Sequence, residues 1–86
     1  MAIDKVKQVS DALDMLAEDT SIPRNIRKGA TDAKNKLNDK NDAIDVRANG
    51  AISILDDLAN DPNVPMHGRT LIYQIMSQLE IIAKSR

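Results

Sequence analysis

An all-α fold, an up-and-down bundle of four helices made from two repeated helical hairpins, follows from the spacing of apolar residues, an internal repeat and a helix-rich composition. Ten alanines, a single aromatic residue (Tyr73), and only three glycines and three prolines in 86 residues form a helical inventory. A chain of this length makes one domain, residues 1–86, with a radius of gyration of roughly 12 Å, too small for a two-domain enzyme.

The elements come in order. Ala2, Val6, Val9, Leu13 and Leu16 step by three and four, which places them on one stripe of a first helix. Ile22-Pro23 ends that run, because proline disfavours the α region for the residue before it yet sits well at the first position of the next helix. Ile26, Ala30, Ala33 and Leu37 carry the second stripe. Asn38, Asp39, Asn41 and Asp42 offer cap and turn chemistry for the next break, which has neither Gly nor Pro, so hairpin 1 spans about 1–40 and hairpin 2 about 41–86. The third stripe is Ile44, Ala48, Ala51, Leu55 and Leu58. Val64-Pro65 turns the chain again, and the fourth stripe is Leu71 or Ile72, then Ile75, Leu79 and Ile82. Short connections make neighbouring helices antiparallel.

The repeat lies at an offset of 42: LDMLAEDTSIP at 13 to 23 aligns with LDDLANDPNVP at 55 to 65, sharing Leu, Asp, Leu, Ala, Asp and Pro. Arg27 then falls on Arg69, and Asn25 on His67. Charge follows the same order. Residues 1–23 carry −3, 24–40 carry +4, 41–61 carry −4 and 62–86 carry +2, so sequence neighbours alternate in sign and attract. Exposed pairs contribute only about 0.2–1 kcal/mol each, so the alternation specifies pairing more than it stabilises.

Several function classes lose their chemistry. There is no cysteine for a disulfide or thiolate site, and one histidine cannot build a His-rich zinc site; no cofactor or metal is expected. No apolar run reaches the length of a signal h-region or a membrane span, so the expectation is a soluble, cytoplasmic chain without a membrane partner. The net charge of −1 sets up no global field for nucleic acid. His67, in Pro-Met-His-Gly-Arg, is unaccompanied by GxSxG and reads as a turn residue. Asp56, Asp57 and Asp61 lack EF-hand spacing and do not converge on one face. The three isolated glycines form no phosphate-binding loop. A non-enzymatic protein is therefore expected.

Two constellations remain. Asp19 precedes Arg27, and Asp61 precedes Arg69, by eight residues across the turns at Pro23 and Pro65. Each pair reads as a hairpin clamp, the carboxylate taking guanidinium or loop N–H bonds. Such Asp and Arg brackets, with Ile26-Arg27 followed by Ala30 and Ala33, resemble HEAT-type repeats, although the spacing is longer and two units fall short of a solenoid. The second constellation is the basic run of Arg24, Arg27, Lys28, Lys34, Lys36 and Lys40 against Asp32 and Asp39. It reads as a solvated face complementing acidic neighbours, or as a phosphate-tracking stripe for RNA or a ribosome that lacks stacking rings.

The thin, alanine-rich second helix favours recruitment of a partner, including a second copy of the chain. Met15, Val46, Ile54 and Ile81 point away from their stripes, and Val46, Ile54, Tyr73 and Ile81 are the expected contacts of a homo-oligomer. The function expected is that of a small helical interaction or scaffold protein, with RNA or ribosome association through the basic helix as the alternative.

The segments IPRNIRKGATDA (22 to 33) and DPNVPMHGRTLIYQIMSQLE (61 to 80) resemble a small archaeal family of all-helical proteins known only as an uncharacterised protein family. The resemblance covers nearly the whole chain and implies a four-helix bundle. Alanine is commoner in that family where this chain has Gly29 and Gly68. No catalytic residue carries over from it.

Overall fold

The computed structural model describes residues 2–84, with side chains from residue 5 onward; Ala2 of the first apolar stripe lies outside the described side chains. Four helices form: α1 (Ala2–Glu18), α2 (Arg24–Leu37), α3 (Ile44–Ala59) and α4 (Met66–Lys84). They make a ring in which α1 touches α2 and α4, α3 touches α2 and α4, and the diagonal pairs do not meet. This is the up-and-down order expected of short connections. The bundle measures 35 × 19 × 19 Å, with a radius of gyration of 11.9 Å.

The stripes face inward as their spacing dictates. Val9, Leu13 and Leu16, the whole set Ile26, Ala30, Ala33 and Leu37, then Ala48, Ala51 and Leu55 are buried. In α4 the inward residue is Ile72, ahead of Ile75, Leu79 and Ile82, while Leu71 is half-buried toward α1. Val6, Ile44 and Leu58 pack at the margin of the core. Leu58 is displaced from the centre because it lies over Gly29 of α2, where an added Cβ would come within 2.5 Å of the leucine Cδ2. Ala30 and Ala33 flank that glycine, so the thin stripe of α2 is what lets α3 approach.

Ile54 departs from its expected outward orientation. Gly50 receives the aliphatic stem of Lys36, and Leu58 covers Gly29, so the row 50, 54, 58 on α3 faces α2. Ile54 sits in the middle of that row, half-buried against the core.

All three connections use one device. Asp19, Asp39 and Asp61 each accept the backbone N–H two residues on with a side-chain oxygen, from Ser21 at 2.9 Å, Asn41 at 3.1 Å and Asn63 at 2.8 Å. Each also accepts the N–H three residues on with its carbonyl, from Ile22, Asp42 and Val64. The next helix begins five residues after the aspartate every time. An Asx turn thus supplies the α2–α3 break, where proline is absent.

Candidate functional site

At the end of the bundle that holds both proline turns, the two loops bond to one another. Asn25 Nδ2 donates to Asp61 Oδ2 at 3.0 Å, and His67 Nε2 lies 3.2 Å from Asp19 Oδ2 and 3.0 Å from Ser21 Oγ. The offset of 42 maps one contact onto the other, so the internal repeat is a pseudo-twofold relation in space. The clamp residues divide their work differently from a direct ion pair. Arg27 Nε donates to the Ile22 carbonyl at 3.0 Å; Arg69 donates from Nε to the Ala59 carbonyl and from Nη2 to the Asp61 carbonyl, both at 3.1 Å. The carboxylates serve N–H groups and the guanidinium groups serve carbonyls.

Ser21, His67 and Asp19 are the three residue types of a hydrolytic triad, but their arrangement lacks its relay. The Ser21 hydroxyl donates to Asp19 Oδ1 at 2.6 Å, and both Ser21 and Asp19 meet the same imidazole nitrogen, Nε2. The one hydroxyl hydrogen of Ser21 is thus directed at the carboxylate, and serine and aspartate meet one imidazole nitrogen where a relay needs two. The Ser21 hydroxyl, then its N–H, then His67 hold the Asp19 carboxyl below its usual range. Asp56 and Asp57 are exposed at the end of α3, and no cluster of metal-ligating side chains exists among the described residues.

The basic run of α2 is mostly engaged within the fold. Lys34 Nζ meets both Asp14 carboxylate oxygens, the nearer at 2.8 Å. Lys36 meets Asp42 at 2.8 Å, which raises the ammonium above its ordinary pKa, and Lys28 meets Asp32 at 3.4 Å. Arg27 is spent on the Ile22 carbonyl, and it, Arg24 and Lys40 are the members of the run without a charged partner among the described residues. Tyr73 stands on α4, diagonal to α2, so no ring lies beside these cations.

Residues offered as oligomer contacts fall on different sides. Val46 and Tyr73 are exposed, Ile54 lies in the α2–α3 seam, and Ile81 follows Gln74 and Gln78 on the flank of α4 that faces α1.

One concavity was not legible as a site. A groove of about 650 Å³ runs between α1, the end of α2 and the start of α3. Val6 and Ile44 give it apolar walls; Lys7, Ser10, Asp11, Asp14, Lys34, Asn38, Lys40 and Arg47 give it polar ones. Lys7 pairs with Asp11 at 3.2 Å and Lys34 with Asp14, so those four charges cancel. Ser10, the buried polar residue of α1, accepts from Asn38 Nδ2 at 3.0 Å. Arg47 Nε is shielded from solvent and has no acceptor. A shallower depression of about 310 Å³ between α1 and α4 is lined by amides and apolar groups, including Gln8, Gln74 and Gln78. The signal for the groove was weak because its members come from three helices and a loop, and only Lys34 and Lys40 belong to a constellation, the basic run.

Comparison with known proteins gives a consistent result. The pattern described as Uncharacterised protein family (UPF0147) matches residues 2–82. A UPF0147 protein of Thermoplasma volcanium is 49% identical, covering 99% of this chain and 98% of the relative, and one of Archaeoglobus fulgidus is 42% identical, covering 96% and 94%. A crystal structure of a UPF0147 protein from Thermoplasma acidophilum superposes with a TM-score of 0.88 at 46% identity, covering 92% of this chain and 93% of that one. A second crystal structure, of a protein of unknown function, gives 0.91 at 48% identity, covering 93% and 91%.

Proposed function

The chain belongs to the uncharacterised protein family UPF0147, and from that premise we propose that it is a small non-enzymatic interaction module that engages a protein partner through the groove between α1, α2 and α3. The observation that carries this reading is the groove itself, a concavity of ligand-site size with apolar walls and a few convergent polar groups on rigid helices. A catalytic reading lacks support, because the Ser21, His67 and Asp19 cluster spends both partners on one nitrogen. RNA association draws little from α2, where Lys28, Lys34 and Lys36 are already paired. Self-association draws little from the exposed Met15, Val46, Met66, Tyr73 and Ile81, which are spread over three helices.

The test is photo-crosslinking in the host cell from a benzophenone side chain placed at Lys40, on the rim of the groove, against the same group at Glu80 on α4. A discrete protein adduct from position 40, absent from position 80 and unchanged by nuclease, supports the reading. Equal adducts from both positions, or loss of the adduct with nuclease, overturn it.

A further inference from the structure

We infer that Arg47 and Lys40 form a carboxylate-binding site in the groove, and that the occupant is an acidic peptide segment carrying an apolar side chain. This rests on the groove being the working surface. Three observations carry it. First, the Arg47 Nε–H is shielded from solvent and lacks an acceptor, a charged donor left unmade in the free protein. Second, charge around the groove does not balance: the Lys7 and Lys34 charges are matched by Asp11 and Asp14, whereas no carboxylate among the described residues lies within ion-pair distance of Lys40 or Arg47. Third, α3 starts beside the groove at Ile44 behind Ala43, which provides no side-chain cap, so the positive end of that helix adds to the field. Asp45, in the same first turn, offsets part of it.

A guanidinium and an ammonium lining one groove suit a carboxylate, which accepts from both. Ser10 keeps its hydroxyl hydrogen to donate while accepting from Asn38. Val6 and Ile44 then favour an apolar side chain beside the acid. A bare anion would leave those walls wet.

The experiment titrates the ¹⁵N-labelled chain with a blocked hexapeptide alternating leucine and glutamate, and with its leucine and glutamine counterpart, following the Arg47 Nε–H resonance and the Asn38 side-chain amide. The glutamate peptide is expected to shift both saturably and to bind about tenfold or more tightly than the glutamine peptide. Arg47→Gln should remove that preference while leaving the weaker glutamine peptide unaffected. Lys40→Gln, at an exposed loop position, repeats the test in a variant that leaves the core untouched and should lower the preference in part. Equal binding of the two peptides, or an undiminished preference in both variants, overturns the carboxylate site. A groove adduct from position 40 alongside either of those outcomes leaves the interaction module standing and removes only its acidic specificity.

Discussion

Replacing each clamp arginine by alanine gives unequal losses that the structure fixes in advance. Arg69 donates twice, to Ala59 and Asp61, and the Ala59 carbonyl is one of the orphan acceptors at the C-terminus of α3. Arg27, its equivalent in the repeat, donates once, to Ile22. Hydrogen bonds from charged groups are worth about 1.5–3 kcal/mol each when well shielded, and both side chains are half-buried, which reduces that to about 1 kcal/mol per bond. Arg69→Ala should therefore cost about 2 kcal/mol and Arg27→Ala about 1 kcal/mol. For a chain of this size the corresponding falls in Tm are about 10 °C and about 5 °C. Urea unfolding followed by circular dichroism, with the slope unchanged, checks it. Arg69→Lys should recover about half of the loss, since an ammonium lacks the fork that reaches two carbonyls. Equal losses for the two alanine variants, or a larger one at Arg27, would refute the division of labour between carboxylate and guanidinium.

Three further outcomes follow from the loops and the helix contacts. Asp19 is held below its ordinary carboxyl value in the folded chain, so the stability it contributes is present above the unfolded value of 3.8 and lost as pH falls through the lower folded one; Asp19→Asn should flatten that part of an acid titration of stability. Gly68→Ala should stabilise by up to about 1 kcal/mol through helix propensity, since the added Cβ would lie 3.2 Å from the flexible end of Ile22. Gly29→Ala, 2.5 Å from Leu58, should lose about 1 kcal/mol net as overpacking exceeds that gain, and pairing it with Leu58→Ala should show the coupling in a double-mutant cycle.

The bundle was legible because each helix carries an apolar residue at every third or fourth place, and burial of Ile26, Ala30, Ala33 and Leu37 follows from that spacing alone. Breaks at Pro23 and Pro65 were legible for a local reason too, the restriction on the residue before proline. The common Asx turn was less so, although a signal existed: Asp19, Asp39 and Asp61 are each followed two places on by Ser or Asn. Periodicity could not tell that Ile54 faces α2, because that depends on Gly29 and Gly50 drawing Leu58 and Lys36 across the seam. Nor could it pair Asn25 with Asp61, since residues 36 apart meet only when two hairpins close on each other. Asp19 and Arg27 take local partners, Ser21 and Ile22, and what the local reading could not supply is His67, which reaches Asp19 from across the fold.

The pseudo-twofold relation also explains why Arg47 is left without an acceptor. Shifting back by 42 turns Arg47 into Lys5, and Lys5 Nζ does have an acceptor, Gln78 Oε1 at 3.1 Å across the α1–α4 seam. The same shift turns Gln78 into Lys36, on α2 across the corresponding seam from Arg47. A lysine has no lone pair to offer. Lys36 instead lays its stem over Gly50 and ends on Asp42, so the position where the repeat has an amide offers Arg47 Nε no acceptor. Lys36→Gln would restore that amide. The variant gives up the partly exposed pair with Asp42, a weak contact in water, and offers Arg47 the acceptor that Lys5 already has. Two readouts should move together: the Arg47 Nε–H resonance takes the position of a bonded donor in the free protein, and the affinity for the leucine and glutamate peptide falls about tenfold although no residue that touches the carboxylate has changed. An unmoved resonance with undiminished affinity would show that the two halves of the repeat do not correspond at these side chains, and the account of the orphaned guanidinium would fall with it.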